Sequence, residues 1–83
     1  MTKKAETTDK SWPNIQGPID NGGNISIGAI PPLRCAAVAA DEGNMLAALL
    51  RRKDETLPDL LDRLDQAIEK AIDEEIYTDE INS

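Results

Sequence analysis

The clearest pattern along the chain is a set of apolar positions at three- and four-residue spacing: Leu57, Leu60, Leu61, Leu64, Ala67, Ile68, Ala71, Ile72 and Ile76. On a helix this spacing gathers one broad stripe. The start of that helix is written in Thr56-Leu57-Pro58-Asp59. These residues supply a hydroxyl cap, a proline in the first turn and a carboxylate three residues after the cap, which together suit the unbonded N–H groups of a helix start. The pattern predicts a helix over about 57–76. Opposite the stripe stand Asp62, Asp65, Glu69 and Asp73, which read as a solvated face on which Asp62→Asn should be nearly silent. Asp59 and Arg63 form a favourably oriented i,i+4 pair. Asp73, Glu74 and Glu75 oppose the helix dipole, so the C-terminal end is expected to fray.

Upstream, Cys35, Val38, Met45, Leu46, Leu49 and Leu50 can share a helical face, and Arg51-Arg52-Lys53 would complement a helix C-terminus. This predicts a helix over about 33–52. Gly43 costs about 1 kcal/mol in a helix interior and Asp41 is a good cap, so a second version starts the helix at Asp41. Residues 34–40 would then be a strand paired with 24–30; alanine is a poor strand former, which favours the longer helix. Asn21-Gly22-Gly23 is a turn signal, and alternation at Ile25 and Ile27 predicts a short strand over 24–30. Gly17-Pro18 argues against a partner strand at 15–19. Pro31-Pro32 stops the strand, and polar residues 1–11 read as a mobile tail.

The connection Lys53-Asp54-Glu55 is short, so the two helices are expected to fold back on each other. The fold class expected is mainly α. It is an antiparallel helical hairpin preceded by a mostly disordered N-terminal segment with at most one or two short strands. Residues 1–23 form a flexible tail and turn, 24–76 a small helical domain, and 77–83 a C-terminal tail.

Composition sharpens this picture. With 83 residues, no phenylalanine, and Trp12 and Tyr77 as the only aromatics, the chain has one domain at most and a small core. A dimer, a partner or a disordered part that escapes the ordering entropy is the expected remedy. The net charge of −7 is uneven: residues 1–53 carry seven Lys/Arg against five Asp/Glu, and residues 54–83 carry two against eleven. Such an acidic end repels phosphates and anionic lipid and attracts basic partners. Cys35 is alone and reads as a small buried hydrophobe in a reducing cytoplasm. No signal peptide is recognisable, and no run approaches the roughly 18 apolar residues of a membrane span.

The chemistry available is narrow. The chain has no histidine and one cysteine, so the usual general bases, nucleophile partners and zinc ligands are lacking. No catalytic, cofactor-binding or metal-binding residue is assigned, and no enzyme activity, cofactor or small-molecule substrate is expected. Asp20-Asn21-Gly22-Gly23-Asn24 resembles a calcium loop in composition only, because the ligand alternation fails at Gly22 and no glutamate stands at the twelfth position. Strand, helix, helix is the order of a ribbon-helix-helix DNA binder, but a −7 chain without a cationic strand fits nucleic acid poorly. Asp59, Asp62, Asp65, Glu69 and Asp73 form carboxylate rows about 5 Å apart, so an acidic mimic of nucleic acid is an alternative.

The preferred reading is a protein-interaction or regulatory accessory module, either self-associating or docking another protein. Its candidate binding residues are Leu60, Leu64, Ile68 and Ile72 of the stripe, Asp73, Glu74 and Glu75 at its repulsive end, and Tyr77 and Ile81 of the final acid/apolar alternation.

Residues 55–82 carry Thr56-Leu57-Pro58-Asp59-Leu60-Leu61-Asp62-Arg63-Leu64-Asp65 and Tyr77-Thr78-Asp79-Glu80-Ile81-Asn82. This third of the chain resembles small accessory proteins of bacterial plasmids, prophages and integrative elements, a group without an assigned activity. The resemblance implies a bacterial cytoplasmic setting and a regulatory or host-interaction role.

Overall fold

The computed structural model describes residues 12–29 and 35–81. The tail expected over 1–11 and the stop at Pro31-Pro32 lie outside the described residues. The order of elements is α1 (Pro13–Asp20), β1 (Asn24–Gly28), β2 (Ala36–Asp41), β3 (Asn44–Leu50), α2 (Leu57–Glu74) and β4 (Thr78–Asp79). The strands form one four-stranded sheet in the order β1-β2-β3-β4. The first three are an antiparallel meander, and β4 returns through α2 to lie parallel to β3. The expected helical hairpin is therefore overturned: the fold is a mixed sheet with two helices.

The helix expected over 33–52 is replaced by the β2–β3 hairpin. Asp41 pairs with Asn44, leaving Glu42-Gly43 as a two-residue loop with φ of 49° and 85°. Positive φ at both central residues defines the type I′ turn that matches strand twist. Gly43 is thus a turn glycine rather than a flaw in a helix. Glu42 holds the same left-handed conformation with a side chain that disfavours it by roughly 1–2 kcal/mol. Glu42→Asn is expected to stabilise the protein by about 0.5–1 kcal/mol, visible as a higher urea midpoint. An unchanged or lower midpoint would argue against the turn.

β2 pairs with β1 from Asn24↔Ala40 to Gly28↔Ala36, and a register shift between Ala39 and Ala40 marks a bulge in its pairing with β3. The core lies on one face of the sheet. Ala37, Ala39, Leu46, Ala47 and Leu49 meet Leu60, Leu64, Ala67, Ile68 and Ala71 of α2 and Ile15 of α1. The sheet contributes mostly alanines to this core, and the larger side chains Leu60, Leu64 and Ile68 of α2 fill the space above them. Ala36 and Ala48 are also buried but alternate with the core positions, so they belong to the opposite face.

Residues 13–20, expected as part of a tail and turn, form α1. Pro13 suits the first turn, but Trp12 gives no side-chain cap and Pro18 lies inside the helix. Packing compensates, with Ile15 and Pro18 buried. The chain then turns tightly at Gly23, where an added Cβ would fall 2.6 Å from the Ala40 carbonyl oxygen and 2.9 Å from that of Pro18. Only glycine fits there.

Candidate partner-binding surface

α2 begins as its local sequence dictates: the Thr56 hydroxyl accepts a bond from the Asp59 N–H at 3.2 Å. Beyond that start, the structure sorts the polar residues of α2 into two anchoring sets and one free end. Asp62 and Asp65, expected on a solvated face, dock α1. The Asp65 carboxylate accepts from the Asn14 N–H at 2.8 Å, the Ile15 N–H at 3.2 Å and the Asn14 side-chain amide at 3.0 Å. It therefore caps α1 from a distant part of the chain, which answers the missing local cap. Asp62 accepts from the Trp12 indole N–H at 2.9 Å, so Asp62→Asn alters a docking contact rather than an idle surface.

Arg63 is the second anchor, and its partner is not Asp59. Its Nε donates to Glu55 Oε2 at 2.7 Å and its Nη2 to Glu55 Oε1 at 2.9 Å, a two-pronged grip on one carboxylate. Nη1 donates to Glu80 Oε2 at 3.0 Å, and Nη2 also reaches the Leu50 carbonyl at 2.9 Å. Glu55 in turn accepts from the Arg52 N–H, and Glu80 accepts from the Leu50 N–H. One guanidinium thus ties α2 to the end of β3, the loop after it and the residue after β4.

The Arg63 hydrogen bonds hold the Glu55 carboxyl well below its ordinary 4.5, at about 2; burial opposes this shift, and the Arg52 N–H and charge add to it. A carboxylate with a depressed folded-state pKa contributes stability that is present above its unfolded value and lost as pH falls through the folded one. Protein stability is therefore expected to drop as pH falls from about 4.5 to about 2, where this carboxyl takes up its proton. Glu55→Gln removes that component, so its urea midpoint should fall less steeply over the same range. Equal slopes for the two proteins would contradict the assignment.

The free end is the C-terminus of α2. Glu75 takes the left-handed conformation, at φ 57° and ψ 33°, its N–H bonds the Ala71 carbonyl, and the Ile76 N–H reaches back to Lys70. The expected fraying is countered by this cap and by β4 pairing with Ala47 and Ala48. The last turn still contains no basic residue, and Asp73, Glu74 and Glu75 are all exposed. Beside them Ile72, Ile76 and Tyr77 are 56%, 51% and 55% exposed.

Comparison with protein-family models, with curated proteins and with solved structures gives no match to this chain.

The candidate binding residues fall into three groups. Leu60, Leu64 and Ile68 are fully enclosed in the chain's own core. Ile72, Asp73, Glu74, Glu75 and Tyr77 come together with Ile76 at one end of α2. Ile81 is not with them: it follows Glu80, whose carboxylate bonds the Leu50 N–H, and so lies toward the far end of β3. Among the described residues, no helix is long and apolar enough to cross a membrane, and no cluster of potential metal ligands is present.

Sequence reasoning missed the Arg63 clamp. Glu55 and Glu80 stand 8 and 17 residues away and both lie outside α2, so helical spacing does not pair them with Arg63.

Proposed function

We propose that the chain is a non-catalytic protein-interaction module of a bacterial cytoplasm, in keeping with the mobile-element accessory proteins its C-terminal third resembles. Its docking surface is the end of α2. The observation that carries this reading is the concentration of three large, more than half-exposed apolar side chains, Ile72, Ile76 and Tyr77, beside three carboxylates. Single exposed apolar residues are ordinary on any surface, but a cluster with a polar rim marks a contact site. The carboxylates add a charge argument. Asp73, Glu74 and Glu75 sit at the negative pole of the helix dipole, where they destabilise the isolated chain. A basic partner relieves that repulsion while the aliphatic stems of its Arg and Lys side chains cover the isoleucines and the tyrosine.

The reading predicts a stability–function conflict. Asp73→Asn with Glu74→Gln should stabilise the free chain by about 0.3–1 kcal/mol in thermal melts. The same variant should bind a basic amphipathic Lys/Leu peptide more weakly than the parent in an NMR titration. Peptide-induced shifts are expected at residues 70–78, and Ile72→Ser with Tyr77→Ser should abolish them. Binding that survives the Ser variant, or that maps elsewhere, would refute the assignment of this end.

A further inference from the structure

The pole opposite this surface carries the complementary chemistry. A cavity of about 330 Å³ opens between Cys35 and the loop residues Arg51, Arg52, Lys53 and Asp54. The loop is held in place at three points. The Arg51 N–H bonds the Cys35 carbonyl at 3.1 Å, the Arg51 Nε donates to the Glu55 carbonyl at 2.8 Å, and the Arg52 N–H is held by the Glu55 carboxylate at 2.9 Å. All three cations are exposed. Arg63 forms ion pairs with Glu55 and Glu80, and among the described residues neither Arg52 nor Lys53 takes part in one. A fixed backbone presenting unpaired cations is a prepared surface for an acidic partner.

Resting on the reading above, we infer that the partner of the α2 C-terminal end is a second copy of this chain, which receives Tyr77 and the Asp73–Glu75 carboxylates at its Arg51–Lys53 cavity. Two features favour this occupant. First, the charges are opposite, with three carboxylates at one pole and three cations against the single carboxylate of Asp54 around the cavity at the other. An aromatic ring among the acids suits guanidinium groups through cation–π contact. Second, the two surfaces lie at opposite ends of one helix. α2 starts three residues after Asp54 and runs 18 residues to the acidic end, about 27 Å at 1.5 Å per residue. Complementary surfaces at opposite poles make a head-to-tail contact, which propagates from copy to copy rather than closing as a two-fold dimer.

The test uses the full chain in sedimentation velocity over a concentration series. The parent is expected to grow past the dimer as concentration rises. Arg52→Gln with Lys53→Gln disables the receiving cavity, and Ile72→Ser with Tyr77→Ser disables the inserting end. All four positions are exposed, so both variants should melt like the parent. Each alone should stay monomeric at concentrations at least tenfold above those at which the parent assembles. Mixed in equal amounts they should form a one-to-one dimer and nothing larger, because one intact end meets one intact cavity. A monomeric parent, or variants that assemble like the parent, would overturn the inference. A monomeric parent whose α2 end still binds the Lys/Leu peptide would overturn only the choice of a second copy and leave the docking surface standing.

Discussion

Arg63→Met should cost about 3 kcal/mol, the low end of the loss on removing one partner from a buried ion pair, because this pair is only part-buried. For 83 residues this is a large part of the entire stability of about 4–12 kcal/mol expected from 0.05–0.15 kcal/mol per residue. The loss has two parts. Four hydrogen bonds from one guanidinium disappear, and the Glu55 carboxylate, 9% exposed, is left without its counter-charge. Arg63→Lys should rescue little, because a single ammonium cannot span Glu55, Glu80 and the Leu50 carbonyl as the planar fork does. Glu55→Gln together with Arg63→Met should be milder than Arg63→Met alone, since the stranded charge is gone. Urea denaturation of the four proteins checks the order. A lysine variant as stable as the parent would show that charge alone, rather than the fork, holds this corner together.

Leu64→Ala is expected to cost about 2–5 kcal/mol, the range for emptying a packed leucine site. Leu64 is completely enclosed and sits where α2 faces the sheet. Ile72 belongs to the same helical stripe, yet Ile72→Ala should change stability by no more than about 0.5 kcal/mol, as surface substitutions do. The contrast matters because periodicity alone ranks the two positions equally. Comparable losses for both would mean that the end of α2 is covered within the free chain, which would remove the basis for a docking surface there.

That pair of substitutions also marks how far the stripe can be read. The spacing identifies which side of α2 is apolar, but not where the sheet beneath it stops. The sheet supports α2 through Ala71, beyond which Ile72 lies in solvent, and Ile76, which the spacing places on the stripe, follows the left-handed Glu75 and lies outside the helix. The candidate site was legible in part for the same reason. Its acids were conspicuous as unfavourable dipole neighbours, whereas the separation of Ile81 from Tyr77 depends on β4 running back along β3.

The sequence by itself determined the start of α2, its apolar side and the charge conflict at its end, because caps, a 3.6-residue period and a dipole act within a few residues. It also marked β1 by the alternation of Ile25 and Ile27. Only the tertiary structure decided the rest. Residues 36–50 became a hairpin even though alanine and leucine favour helix. Both faces of these strands are apolar, with Ala37, Ala39, Ala47 and Leu49 on one side and Ala36, Val38, Ala48 and Leu50 on the other, so no alternation was visible. α1 formed across Gly17-Pro18 because Asp65, some 50 residues away, supplies its cap. Arg63 left its helical neighbour Asp59 for Glu55 and Glu80, which only the folded sheet brings within reach.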